Sequence, residues 1–249
     1  MNRVDKKQSQ GFTIIELLLA MTFISVLLLV IATTIVQIAN VYNHGMILKE
    51  VNQTSRAMTQ ELDRAFRASS SFSTNITNHQ YINNPSWGGR MCIGQYSYIW
   101  NYGTALSSSN LNRNMYSSLN STGNIVVGGT TTRSEISFVK TTDPGGAYCI
   151  PDGTGAYPNI SPVGATELLR SGDHSLAIHA FSVTSNDQAK DVLSAQALYK
   201  ISFTLGTSDI NALTSDQSQC KAPNVSGSDP NYCSVEQFTI VLRAVSGVN

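Results

Sequence analysis

The residue types most often used in catalysis are scattered through this sequence of 249 residues. The four histidines are His44, His79, His174 and His179. The last two are five residues apart on a predicted strand, so their side chains would face opposite sides, which is poor geometry for a shared metal. The sequence contains no G-x-S-x-G motif and no phosphate-binding loop. We therefore expect no enzyme, no metal site and no cofactor, although the abundant serines and aspartates leave a Ser-His-Asp triad open.

Acidic and amide side chains recur near the C-terminus and could ligate Ca²⁺ there. They are Asp209, Asp216, Asp229 and Asn231. Their spacing does not match an EF-hand loop. A solvated loop is therefore the favoured interpretation, and a calcium-binding loop is the alternative.

The cysteines Cys92, Cys149, Cys220 and Cys233 all lie in the polar C-terminal part of the chain. An even number of cysteines beyond a membrane segment favours disulfides in an oxidising compartment. Four cysteines allow three pairings. We favour Cys220–Cys233 because the residues between them are rich in turn formers, and this leaves Cys92–Cys149. Reduced, buried cysteines are the alternative, and the absence of C-x-x-C argues against zinc.

An apolar run of 28 residues extends from Phe12 to Ala39. About 20 apolar residues suffice to cross a bilayer. Basic residues precede the run and none follows closely, which predicts a cytoplasmic N-terminus. Glu16 is the only charged residue between Phe12 and Leu48. Insertion of a carboxylate into the membrane costs free energy, so an acid in a membrane helix indicates a functional role. A plain signal anchor would not require Glu16. A secretory signal would have a shorter apolar run that ends in small residues.

The stretch Gly11-Phe12-Thr13-Ile14-Ile15-Glu16 resembles the processing site of the type IV pilin family, which includes the pseudopilins of type II secretion. The shared pattern is a short basic leader, a glycine, a phenylalanine, a glutamate four residues later and an apolar helix. The resemblance implies that a prepilin peptidase cuts between Gly11 and Phe12 and then methylates the new amine of Phe12. It also implies that Glu16 pairs with the Phe12 amine of a neighbouring subunit and thereby sets the register of assembly.

The apolar helix should continue as an amphipathic helix to about residue 70. Its apolar positions recur every three or four residues, at Leu48, Val51, Ser55, Met58, Leu62 and Ala65–Phe66. Glu61–Arg64 and Asp63–Arg67 have the spacing of intrahelical ion pairs. The expected organisation is a leader at 1–11, a membrane or filament-core helix at 12–39, its amphipathic continuation at 40–70 and an extracytoplasmic head at 71–249.

The expected fold class is α+β, with the long N-terminal helix packed on an antiparallel sheet of about four strands. The strands are predicted by alternation and β-branched content at Ser134–Lys140, Ser175–Thr184, Ala197–Leu205 and Gln237–Val245. Residues 73–132 are predicted to be mainly loop, with one short strand at Ile125–Val127. The aromatic residues of that region are expected to pack the head, and glycan binding is the alternative. They are Tyr96, Tyr98, Trp100, Tyr102 and Tyr116.

The resemblance favours a structural subunit, a minor pilin that acts in pilus assembly or at the tip. The first proline is Pro85, whereas many major pilins carry a proline partway down the helix. The expected partners are other pilin subunits through the N-terminal helix, the prepilin peptidase and the membrane. No nucleic acid is expected, because residues 69–249 carry 9 Lys/Arg against 11 Asp/Glu. The expected location is the cytoplasmic membrane and then the pilus surface. The alternatives are a type II secretion pseudopilin and a pilin-stem adhesin or DNA-uptake component.

Overall fold

The computed structural model describes most of the chain from Phe12 to Ala244. The described residues are 12–74, 79–107, 124–127, 130–133, 137–153, 155, 157–158, 160, 164–169, 176–185 and 197–244. The predicted positions Gly11, Tyr116 and His174 lie outside them, as does the start of the strand predicted at Ser134–Lys140. The chain divides into two compact units, the first ending at Asn43 and the second beginning at His44.

A single long helix, α1 (Ile14–Arg67), accounts for all regular structure before residue 80 in the described chain. It ends close to the predicted stop at residue 70. In the first unit, every residue from Phe12 to Ala39 is exposed. In the second unit, the helix buries one stripe, whose members are Ile47, Val51, Thr54, Ser55, Met58, Leu62, Ala65 and Phe66. The stripe confirms the predicted period, except that Ile47 is buried where Leu48 was expected and Leu48 is half-buried.

Ten strands and one short second helix are described after α1. In chain order they are β1 (Tyr81–Asn84), β2 (Gly88–Ile93), β3 (Tyr96–Asn101), α2 (Gly103–Ser107), β4 (Asn124–Val127), β5 (Thr130–Arg133), β6 (Phe138–Thr142), β7 (Thr166–Glu167), β8 (Leu176–Ser185), β9 (Ala197–Thr207) and β10 (Val235–Ala244). The last three and β6 lie close to the four predicted strands. The short strand predicted at Ile125–Val127 is confirmed as β4, paired with β5.

The strands form antiparallel sheets, which confirms the α+β class but not the strand count. Sheet A has five strands in the order β1-β2-β3-β6-β7, and sheet B has three in the order β10-β9-β8. The pair β4-β5 stands apart as a third sheet. The expected single sheet of about four strands is therefore wrong in its number of strands and of sheets.

The main error lies at residues 73–132, which were predicted to be loop but contain β1, β2 and β3. Strand β2 begins with two glycines, which read as a turn, yet its six residues are all buried. Gly89 is needed there because a Cβ would stand 2.3 Å from the Ile82 carbonyl oxygen and 2.4 Å from the Trp100 ring. Close packing against Trp100 thus overrides a local preference for turns.

One hydrophobic core joins the second half of α1 to both sheets. Phe66 on the helix contacts Phe72 and Tyr199 with ring centroids 5.5 and 5.3 Å apart. In the middle of the core, the Phe181 ring lies 4.4 Å from that of Trp100. Tyr98, Trp100 and Tyr102 are buried, so these predicted aromatics pack the head, as the favoured interpretation expected.

The face of sheet A away from α1 is covered by the described residues between β6 and β7. A disulfide joins Cys92 of β2 to Cys149 in a short 3₁₀ helix (Ala147–Cys149). Arg90 of β2 is fully buried beside it and donates to the carbonyl oxygens of Tyr148 and Pro158 at 2.6 and 3.0 Å. The Arg90 guanidinium and the Cys92–Cys149 disulfide therefore hold this segment against sheet A.

Candidate functional site

The start of α1 contains a reciprocal cap between Thr13 and Glu16. The Glu16 carboxylate oxygen Oε2 accepts hydrogen bonds from the Thr13 backbone N–H at 2.9 Å and from its hydroxyl at 2.7 Å. The Glu16 backbone N–H in turn lies 3.4 Å from the Thr13 hydroxyl oxygen. This is a capping box, in which a Thr at the N-cap and a Glu three residues later satisfy each other's backbone donors. It fixes the first helical residue at Ile14.

Capping gives Glu16 a second role beside the one that the resemblance implies. Both bonds from Thr13 end on Oε2, and no bond to Oε1 is found among the described residues. A carboxylate has two oxygens and about four acceptor positions, so Oε1 can accept a hydrogen bond while Oε2 holds the cap. A negative charge in the first turn also interacts favourably with the helix dipole. The cap thus orients the carboxylate toward the N-terminal end of the helix.

Phe12 lies just outside the helix, next to the predicted scissile bond. Its side chain is 84% exposed, and its backbone precedes the first helical residue by two positions. Gly11, the other side of the predicted bond, is outside the described residues. A peptide bond before the N-cap does not belong to the helical hydrogen-bond ladder, so a protease need not unwind α1 to reach it.

The apolar half of α1 has the composition of a membrane span. It reaches a mean hydropathy of 2.8 over 18 residues, and none of that window is buried within the chain. Its hydroxyl side chains donate to carbonyl oxygens one turn earlier, at Thr22, Ser25, Thr33 and Thr34. Internal hydrogen bonding of this kind suits an apolar environment. The helix is compatible with a single-pass membrane protein, although signal sequences have the same length and composition.

A charged cluster clamps the second half of α1 to sheet A. Glu61 Oε1 accepts from Lys140 Nζ of β6 at 2.5 Å and from the Tyr98 hydroxyl of β3 at 2.9 Å. Burial raises the pKa of Glu61, but the hydrogen bonds from Lys140 and Tyr98 and the Lys140 charge outweigh it, so the pKa lies below its ordinary value. Burial beside Glu61 raises the pKa of Tyr98. The predicted pairs Glu61–Arg64 and Asp63–Arg67 are also present, at 4.0 and 2.8 Å.

His179 of β8 is half-buried and has partners on both ring nitrogens. Nδ1 lies 2.8 Å from Gln217 Oε1, and Nε2 lies 3.0 Å from the Thr207 carbonyl oxygen. Burial lowers the pKa of His179, while these two hydrogen bonds act in the opposite direction. Among the described residues, no group of three or more His, Cys, Asp or Glu side chains could hold a metal ion.

The acidic region near the C-terminus ends in a loop that is closed by a disulfide. The disulfide joins Cys220 to Cys233, so the structure contains the pairing that the sequence favoured. Asp216 accepts from the hydroxyls of Thr214 and Ser218 at 2.6 and 2.8 Å. The hydrogen bond from Thr214 has the largest effect, and together with those from Ser218 it holds the pKa of Asp216 below its ordinary value. Two of the aspartates predicted as possible calcium ligands, Asp209 and Asp216, therefore organise local turns.

Thr13 is the residue of this site that sequence reasoning missed, although the T-x-x-E signature of a capping box is present at Thr13–Glu16. The structure brings Thr13 and Glu16 together at the start of the apolar helix, directly after Phe12. Searches with this chain found no matching protein-family model, no matching curated protein and no matching solved structure. The resemblance to the type IV pilin family accordingly rests on the residues at the N-terminus.

Proposed function

We propose that this chain is a minor pilin, a structural subunit of a type IV pilus-type filament. In this proposal a prepilin peptidase removes residues 1–11, the Phe12 amine is methylated, and the apolar half of α1 passes from the membrane into the filament core. The observation that carries the proposal is an exposed apolar helix whose single acid, Glu16, lies in the first turn directly after Gly11-Phe12. Nothing in the described chain covers this helix, so lipid or other subunits must cover it.

The capping box supports the role proposed for Glu16. In a neighbouring subunit, the Phe12 amine would approach Glu16 Oε1 while Oε2 keeps its bonds to Thr13. A mispaired stagger would leave both charges without a partner in a low-dielectric environment, which is costly. Glu16 would therefore specify register, and Thr13 would hold its carboxylate in place.

Two features support an exported, structural role for the second unit. Both disulfides lie in this unit, and disulfides persist in extracytoplasmic compartments. Three of the aromatic residues considered for glycan binding, Tyr98, Trp100 and Tyr102, are buried in the core. This weakens the alternative of a glycan-binding surface built from these residues.

A pseudopilin of type II secretion is the second candidate, because the absence of proline before Pro85 fits pseudopilins as well as minor pilins. Proline in a helix interior removes a hydrogen bond and kinks the helix. A helix without one is expected to stay regular, as α1 does from Ile14 to Arg67. Growth of the filament in cells that lack either the pilus or the secretion machinery would distinguish the two candidates.

The proposal is tested with substitutions at the N-terminus in the native host. Gly11→Val should block cleavage, because a branched side chain is placed next to the scissile bond, while Gln10→Val serves as the control and should be cut. Thr13→Val removes the hydroxyl with little change in size, and Thr13→Ser retains it. Both should be cut, but only Thr13→Val should enter filaments poorly. Mature protein from Gly11→Val at the control level would contradict the processing claim.

A further inference from the structure

Four cations of α1 lie on the helix face opposite its buried stripe. Lys49, Arg56, Arg64 and Arg67 are all exposed. At 100° per residue they fall within about 80° of arc, and they span about 27 Å along the helix axis. We call this surface the basic helix face. It is directed away from the core of its own unit, so it contributes nothing to packing there.

The acids of the same helix neutralise this face only in part, at its C-terminal end. Glu50, Glu61 and Asp63 are half-buried, and Glu61 is held by Lys140 of sheet A. Asp63 pairs with Arg67 at 2.8 Å, while Arg64 stands 4.0 Å from Glu61 and is 79% exposed. Within the described part of the chain, neither Lys49 nor Arg56 has an ion-pair partner.

A surface of the opposite sign lies elsewhere on the second unit. Residues 208–234, which we call the acidic loop, contain three aspartates and one lysine. Asp209, Asp216 and Asp229 are exposed, whereas Lys221 turns back toward the Ser226 carbonyl oxygen at 3.4 Å. No ion pair of the described chain joins the acidic loop to the basic helix face.

We propose that the basic helix face of one copy binds the acidic loop of a second copy of this chain. Two different, complementary surfaces on one chain form a head-to-tail contact. Such contacts give a ring when the rotation between copies closes and an open helical filament when it does not. The inference rests on the proposed function in that a filament brings copies together in a fixed register. Charge complementarity orients the contact and excludes like-charged neighbours.

The contact is tested by photocrosslinking of the full-length chain in its native membrane. A benzophenone amino acid replaces Gln60, which is exposed and lies on the basic helix face between Arg56 and Arg64. Two differently tagged copies are expressed together. We expect a crosslink between the two tags, with the crosslinked peptide inside residues 208–234. A crosslink to lipid, to another protein or to another part of the second copy would overturn the proposal, and so would the absence of any crosslink.

Charge reversal distinguishes a specific contact from proximity. Arg56→Glu with Arg64→Glu in the crosslinker copy should lower the yield about tenfold, since each exposed pair contributes a few-fold. Asp216→Lys with Asp229→Lys in the partner copy should then restore it. The matched control reverses Lys200 and Arg243, two exposed cations of sheet B, and should leave the yield unchanged. Lack of rescue would overturn the contact, whereas an uncut N-terminus in the same sample would overturn only the proposed processing.

Discussion

The clamp between α1 and sheet A gives the sharpest prediction for the stability of the second unit. Glu61→Gln removes the charge but keeps the size of the side chain and an oxygen that can accept from Tyr98. The Lys140 ammonium then loses its ion-pair partner, 2.5 Å away. The cost depends on burial, and the side chains of Lys140 and Glu61 are 22% and 19% exposed. Such a pair lies between a solvent-exposed salt bridge and a fully buried one.

The magnitude follows from these two limits. Exposed pairs contribute about 0–1 kcal/mol, and breaking a fully buried pair costs about 3–5 kcal/mol. We expect Glu61→Gln to lower the free energy of unfolding by about 2 kcal/mol, which for a unit of this size lowers Tm by about 4–8 °C. Arg64→Ala is the control on the same helix. Because Arg64 is 79% exposed and 4.0 Å from Glu61, its loss should cost less than about 0.5 kcal/mol.

The assay is denaturant unfolding of the full chain in detergent, followed by tryptophan fluorescence, since Trp100 is buried in the core near the clamp. Lys140→Met alone should cost about as much as Glu61→Gln. The double variant should lose about 1–2 kcal/mol less than the sum of the two single variants, which is the coupling expected for residues in direct contact. Two outcomes would contradict a stabilising interaction between Glu61 and Lys140. One is additive losses of unfolding free energy in the double variant, and the other is an equal loss for Glu61→Gln and Arg64→Ala.

Three further predictions concern the same unit. The pKa of His179 is lowered by burial, so its contribution to stability is complete above pH 6.5 and is lost as pH falls through the folded pKa. Replacement of His179 by asparagine should therefore make Tm fall less steeply as pH drops below 6.5. Gly89→Ala should destabilise the unit by about 3 kcal/mol or prevent folding, because the new Cβ would stand 2.4 Å from Trp100, as thermal melts would show. Replacing both cysteines of the Cys92 disulfide by alanine should cost about 4 kcal/mol in denaturant unfolding, given its sequence separation of 57.

The predictable parts of this fold are those in which local pattern and tertiary environment agree. The α1 stripe could be predicted because one face of an amphipathic helix repeats every three or four residues. Strands β8, β9 and β10 were recognised because they alternate or are rich in β-branched residues. The period alone did not identify Ile47 as the buried residue, since Leu48 was expected in its place. Two adjacent apolar residues satisfy the period equally well, and only contact with the sheet decides between them.

The parts that could not be predicted depend on packing between distant segments. Strand β2 is buried on both faces because α1 covers one side of sheet A and the described residues between β6 and β7 cover the other. A strand of that kind shows no alternation, and its leading glycines predict a turn. At the candidate site, Gly11, Phe12 and Glu16 could be picked out by type and spacing alone. The role of Thr13 required the hydrogen bonds to Glu16 Oε2.

The central claim is that the chain is cut after Gly11 and assembled through its N-terminal helix. The most direct test is intact-mass and N-terminal peptide analysis of the protein from sheared surface filaments and from membranes of its native host. The account predicts a mature N-terminus at N-methylated Phe12 in the filament fraction, at low abundance relative to the major subunit. An N-terminus that retains residues 1–11, or one formed by cleavage beyond Ala39, would contradict it.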